Sequence, residues 1–280
     1  MKKKLAPFIE WGTLLFCTGT VCFFLVVILW DIVSKGASSL SWGFVSTPPA
    51  NGMTQGGILP AITGTVLLTL ITALVATPFG ISCAIYLNEY ASDNWSARLV
   101  RAAIRNLAGV PSVIYGLFGL SLFVQAMHMG TSMVAAGCTL GLLSLPYIIT
   151  TTEEALRRIP ASTREAALAI GATQFESIRD VVLPAALPGI LTGIVLTLSR
   201  AAGETAPILF TGVAFYINSP SGGLNQEFMA LPYHLYMLST QHQAIEQVRP
   251  LAYGTALVLL IVVFLLNLAA FYIRYKHSKK

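Results

Sequence analysis

Two ionisable residues sit where ionisable residues are expensive. Arg200 and Glu204 interrupt an apolar stretch, residues 187–213, that is long enough to cross a bilayer. A charged side chain deep in lipid costs about 2.5–3.5 kcal/mol on insertion scales, so as a rule it faces a pore or a partner. Counted from residue 187 at ~1.5 Å per residue, Arg200 lies about 20 Å along a helix, past the midplane. The i, i+4 spacing puts Glu204 one turn further out on the same face. Either the two charges neutralise each other, or Arg200 is a fixed positive charge for an anion and Glu204 orients it. Guanidinium offers a planar fork of donors that matches phosphate-type oxygens and stays charged at any relevant pH. Glu204 can also accept the proton that a hydrogenphosphate carries and a sulfate lacks.

A second pattern lies in a polar segment, residues 150–184. Ser162-Thr163-Arg164-Glu165 fits a capping box, with Ser162 as N-cap and Glu165 reaching back. Ala166 to Ile170 are mostly good helix formers, and Gly171 fits the left-handed position that ends a helix. Thr173-Gln174-Phe175-Glu176 repeats the box, and Pro184 marks the start of the next span. The expected object is a short helix, a glycine corner and a second short helix against the membrane. It is rigid and exposed.

These features need a membrane frame to hold them. Of 280 residues, 55% are hydrophobic and only 10% charged, and the mean hydropathy is +0.72. A soluble domain carries about a quarter of its residues charged. Six stretches are apolar enough to span: 11–30, 58–87, 107–127, 133–149, 187–213 and 252–272. The N-terminal Lys2-Lys3-Lys4 and its long apolar run read as a retained helix rather than a signal peptide. Of the 17 Lys and Arg, all but Lys35, Arg200 and Arg249 fall on the side that both termini share. By the positive-inside rule that side is cytoplasmic. The net charge of +5 therefore reflects topology and gives no reason to invoke nucleic acid.

Enzymatic chemistry finds no support. Cys17, Cys22, Cys83 and Cys138 lie inside spans without a CxxC pair, and His128, His234, His242 and His277 lack metal-ligand spacing. No GxSxG, HExxH or Walker A run occurs. Any ATP must be hydrolysed by another subunit.

The full loop pattern is Glu165-Ala166-Ala167, three residues, Gly171, nine residues, then Val181-Val182-Leu183-Pro184. It resembles the EAA signature of binding-protein-dependent ABC importers, EAA-x3-G-x9-I-x-L-P, departing only by Val181 for Ile. In that family the loop forms a coupling helix that docks into a groove of the ATPase. The resemblance therefore implies coupling roles for Glu165, Ala166, Ala167, Gly171, Val181, Leu183 and Pro184. The run from Arg200 to Thr211 is similar to the fifth-helix motif of phosphate-specific transport permeases. Gly57 to Ile62 with Tyr86-Leu87-Asn88-Glu89-Tyr90-Ala91 resembles the same subfamily's second helix, and Thr205-Ala206-Pro207 its PstA type rather than its PstC type. In that subfamily Arg and Glu at these positions are implicated in transport, which carries over to Arg200 and Glu204.

The resemblance implies an all-α membrane protein of six helices. Its fold is the type I importer permease, a five-helix core plus an N-terminal helix, in the bacterial cytoplasmic (inner) membrane. It implies a second, PstC-like permease, two copies of a PstB-like ATPase that binds the ATP and Mg, and a PstS-like extracytoplasmic phosphate-binding protein. No cofactor is expected on this chain. Other cargoes (sulfate, molybdate, phosphonate, an amino acid), a signalling scaffold for a sensor kinase, and an ATP-independent carrier are the alternatives. The organisation reads as a first helix with its outer loop (1–57), a permease domain (58–275) with the coupling loop at about 150–184, and a basic tail (276–280). Thr65, Thr69, Thr72 and Ala76 form a small stripe that suits close helix packing, with Thr65 and Thr69 as candidate pathway lining. Gly109, Gly116 and Gly119, with Pro111, suit packing and kinking of the third span. In the outer connection, residues 219–223 read as a turn-rich tip and 231–238 as a short interfacial helix. Tyr216, Tyr233 and Tyr236 are candidates to face a binding protein.

Overall fold

The computed structural model describes residues 2–92, 94–217 and 223–278. Most of the turn-rich tip (219–222) and Lys279–Lys280 of the tail lie outside them. The long helices follow the apolar stretches. The first, α1 (Lys2–Gly36), leads through a short helix α2 (Trp42–Ser46) and a two-stranded hairpin, β1 (Pro49–Ala50) and β2 (Gln55–Gly56). The second span is α3 (Leu59–Ile85), extended by a π-helical turn, Tyr86–Tyr90. Next come α4 (Trp95–Ala108), α5 (Ser112–Gly119) with a π-helical continuation to Ala126, and α6 (Met133–Arg157). The polar segment holds α7 (Ala161–Ala169) and α8 (Gln174–Glu176), which runs on through a π-helical stretch into α9 (Leu183–Ala201). The chain ends with α10 (Ala206–Leu209), α11 (Leu231–Tyr236) and α12 (Ile245–Ser278).

Two of the expected spans need correction. The third was placed at 107–127, but α4 and α5 meet at an angle of 100°. Only α5 and its continuation go inward; α4 lies aside. Arg98, Arg101 and Arg105 recur along one face of α4, so it is amphipathic, the pattern that suits a helix at a membrane surface. The corner falls at Gly109–Val110–Pro111, because a proline disfavours helical geometry in the residue before it. The carbonyls freed there are satisfied by two phenols: Tyr115 donates to Leu107 at 3.0 Å and Tyr147 to Ala108 at 2.9 Å. The fifth span was placed at 187–213, but its helix stops at Ala201. Counting the bent pair as one span, six crossings remain.

The core is built around α3, α6 and α9. Ala76, Ile148, Leu156, Val182 and Ile190 form one buried cluster toward the end that carries α7 and α8. Leu68, Met133, Leu140, Ile208 and Phe228 form another toward the opposite end. Thr65, Thr69 and Thr72 are buried along α3, each hydroxyl donating to a carbonyl four residues back at 2.7–2.8 Å. That is how a hydroxyl enters an apolar helix interface without leaving a donor bare. Gly80 on the same helix faces Ile148 so closely that a Cβ would collide with its side chain.

The outer connection folds inward. Leu231, Pro232 and Leu238 are buried, and the Leu231 N–H donates to the Thr65 hydroxyl at 2.8 Å. The expected helix forms as Leu231–Tyr236 with a π-helical continuation, Met237–Gln241, and it packs against α3 and α12. Thr65→Val would strand a buried N–H, which costs about 1–3 kcal/mol. We expect a lower melting temperature in detergent for Thr65→Val and little change for Thr65→Ser; equal melting temperatures would refute the anchor.

The first helix is a different case. None of its most apolar window is buried, and α12 is its principal contact. A polar clasp joins the two: the Tyr253 hydroxyl donates to Asp31 at 2.9 Å, while Lys35 donates to Tyr253 at 3.3 Å and pairs with Asp31.

Candidate functional site: an arginine at a broken helix and a capped cytoplasmic loop

Arg200 occupies the last turn of α9, where the carbonyl end of a helix favours a cation. The chain then turns: the Gly203 N–H donates to Arg200 O at 3.0 Å and the Glu204 N–H to Ala201 O at 3.1 Å. Glu204 is therefore in the turn and not one helical turn further along the helix. The two still meet, with Arg200 Nε 3.4 Å from Glu204 Oε1. Gly203 and Pro207 bracket the break, and α10 carries the apolar run 206–209 back against α5 and α6.

The guanidinium has a second support. Its central carbon lies 4.4 Å from the centre of the Tyr147 ring, a cation–π distance. Tyr147 is itself held by its hydrogen bond to Ala108 at the α4–α5 corner. Stacking fixes the plane of the fork and Glu204 engages only Nε, so the four N–H groups on the two Nη atoms carry no bond among the described residues. Arg200 is 54% exposed and Glu204 18%. Leu143, Ser144, Thr197 and Ala201 complete a notch of about 10 Å³. That is about the space of one water and too small for an anion, so this chain presents one wall of a site. Thr65 and Thr69 are not brought to this wall; they are buried against neighbouring helices.

In the cytoplasmic loop, Gly171 has φ +93°, the left-handed conformation expected of it. The Ala172 N–H donates to Ala167 O at 3.2 Å and the Gly171 N–H to Leu168 O at 3.0 Å, the two bonds of a Schellman stop. The Thr173–Glu176 capping box forms in full. The first box does not. Pro160 is the N-cap of α7, without a side-chain bond, so Ser162 falls inside the helix, where it cannot take the extended backbone of a cap. Glu165 makes no hydrogen bond or ion pair among the described residues and is exposed, as is Ala166, whereas Ala167 is buried. Val181 and Leu183 are half-buried and Pro184 is exposed. Sequence reasoning passed over the apolar knobs of this loop: Ile170 is 88% exposed and Phe175 63%. Their signal was available, since large apolar residues in a polar connection have no lipid to face.

One more ionic contact was not anticipated. Arg164 holds Glu89, 75 residues away, with Nε to Oε2 at 3.0 Å and Nη2 to Oε1 at 2.7 Å. Glu89 holds the Arg164 guanidinium above its usual basicity. The one hint in the sequence was that no Lys or Arg stands between Lys35 and Arg98, so Glu89 had to find its cation elsewhere.

A bundle of apolar helices with a capped, exposed loop on the basic side fits a transporter's membrane subunit. The sequence agrees: residues 76–280 match the family described as the binding-protein-dependent transport system inner membrane component, and the chain belongs to that family. It is an inner-membrane permease subunit of an ABC importer. Its relatives include the phosphate transport system permease protein PstA of Yersinia pestis, 36% identical over 271 residues, covering 96% of this chain and 88% of that one. PstA 1 of Mycobacterium tuberculosis is 33% identical over 261 residues, covering 91% and 84%. Among solved structures, a bacterial ABC transporter involved in the import of the acidic polysaccharide alginate aligns with a TM-score of 0.66, covering 98% of both chains at 15% identity. At that identity the likeness concerns the fold alone, the type I importer permease.

Proposed function

We propose that this chain is one half of the pore of an importer for inorganic phosphate. The observation that carries the reading is Arg200: a charge held by Tyr147 and the α9 terminus, with four donors unspent, at the open end of a broken span. The naming of relatives at 33–36% identity as phosphate permeases supports the same cargo.

A second, PstC-like permease supplies the facing wall, and phosphate passes between the two. A PstS-like binding protein delivers it from outside. Two copies of a PstB-like ATPase bind ATP and Mg, dock on the coupling loop and drive alternating access; no cofactor resides on this chain. Glu204 keeps Arg200 in line through Nε, and its second oxygen accepts the hydrogen of hydrogenphosphate. Sulfate has no such hydrogen and would leave that acceptor bare, which is how a polar site rejects a near-isostere.

The test is uptake into right-side-out vesicles that hold the assembled complex, with ATP loaded inside and the binding protein supplied outside. ATP-dependent phosphate accumulation that excess sulfate does not suppress is the expected result. Equal competition by sulfate, or accumulation without ATP, overturns the reading. Glu204→Gln should keep transport but erase the preference for phosphate over sulfate.

A further inference from the structure

The coupling loop must pull on something, and the fold offers a specific handle. Glu89 sits in the π-helical turn that ends α3, its side chain only 6% exposed. Its carboxylate accepts both Arg164 bonds and a third from the Asn88 amide at 2.6 Å. Its backbone carbonyl accepts from Gln174, the first residue of α8, at 2.7 Å. Arg164 stands one position before the Glu165-Ala166-Ala167 run. It also donates to Leu156 O at 3.0 Å, in the last turn of α6, and to Ile159 O at 2.8 Å, just past its end. One buried carboxylate and one guanidinium thus gather the ends of α3 and α6 and both halves of the loop.

From these contacts we infer that Glu89 and Arg164 form the tie that carries movement of the coupling loop into the second span. The contrast within the loop supports it. Glu165 is exposed with no partner among the described residues, whereas its neighbour Arg164 points inward and spends its donors on the membrane bundle. A push received on the outer face of α7 passes through a fork–fork ion pair, which resists both sliding and rotation better than a single contact. At the other end of α3 the Thr65 hydroxyl holds the Leu231 N–H of α11. Movement entering at Glu89 therefore has a continuous path of about 36 Å along one helix to the outer connection. Glu89 and Arg164 are positioning residues; they touch neither cargo nor nucleotide.

The test uses the full complex in nanodiscs and proteoliposomes, comparing wild type, Glu89→Ala, Glu89→Asp and Arg164→Lys. Two quantities are read: phosphate moved per ATP hydrolysed, and hydrogen–deuterium exchange of segments 86–91 and 160–176 in nucleotide-free and ATP–vanadate-trapped states. In the wild type both segments should change between states. In Glu89→Ala the loop should still change while segment 86–91 no longer follows, and phosphate per ATP should fall about tenfold with basal hydrolysis retained. Glu89→Asp, which keeps the charge, should stay within about threefold of wild type, and Arg164→Lys, which keeps charge but not the fork, should fall between them. The tie is overturned if Glu89→Ala keeps the ratio within about twofold, or if hydrolysis and transport fall together so that the ratio stays the same. If Glu89→Ala does not assemble, Arg164→Lys decides: a wild-type ratio with coupled exchange overturns the tie. The transport ratio rests on the phosphate reading. The exchange readout does not, so a wild type that moves no phosphate sinks the cargo and leaves the tie judged by exchange alone.

Discussion

Arg200→Ala is expected to reduce ATP-driven phosphate uptake about 100-fold while leaving the complex assembled, the rate equivalent of ~2.7 kcal/mol. Removal of the side chain leaves the Tyr147 face, Glu204 and the notch in place but takes away every cationic donor at that wall. It also frees Glu204, whose unpaired charge then faces an incoming anion. Arg200→Lys separates charge from shape. A lysine ammonium keeps the charge but can neither stack its plane on Tyr147 nor present a fork, and about a tenfold loss follows. Uptake of radiolabelled phosphate, normalised to complex recovered by co-purification, is the measurement. More than half of wild-type uptake in Arg200→Ala would remove the arginine from the pathway.

The second large effect belongs to the cytoplasmic loop. Ile170→Asp and Glu165→Arg should each strip the ATPase from the purified complex while the two permeases stay together. Ile170 is 88% exposed in the polar connection between α6 and α9. Burying such a side chain in a partner's groove is worth roughly 2 kcal/mol, and a carboxylate there adds a desolvation cost. The fold itself should tolerate the change, because exposed substitutions away from special features alter stability by about 0.5 kcal/mol or less. Glu165 has no partner to lose among the described residues. The readout is ATPase recovered per permease, together with transport. Wild-type stoichiometry and transport in both variants would show that the ATPase docks elsewhere.

Hydropathy and charge bias carried much of the fold, because lipid imposes one rule on every spanning segment: long, apolar and helical. That rule says nothing about where a helix breaks. Residues 206–213 are as apolar as 187–199, so the fifth span read as continuous, and only Gly203 and Pro207 hinted otherwise. The third span failed for the converse reason. Leu107 and Val110 extended the apolar run through a corner that Pro111 imposes. Local motifs were legible where both halves of a motif lie within a few residues. Gly171 and the Thr173–Glu176 box form as expected. The Ser162 box gave way to Pro160, whose fixed backbone starts the helix earlier. The Arg200–Glu204 contact was visible in the spacing, although a turn and not a helix delivers it. Glu89 with Arg164 and Arg200 with Tyr147 were not visible. Each joins segments far apart in sequence, and nothing local requires the pairing.

The placement of the first helix has a consequence for how the chain is made. Its clasp partner, Tyr253, lies 222 residues further along. At roughly 5–20 residues per second, α1 waits about 10–45 s after synthesis before α12 exists to receive it. During that time it must survive in the bilayer alone, in keeping with an apolar window that buries nothing against the rest of this chain. A segment that has to be self-sufficient at birth gains nothing from a face that needs a neighbour.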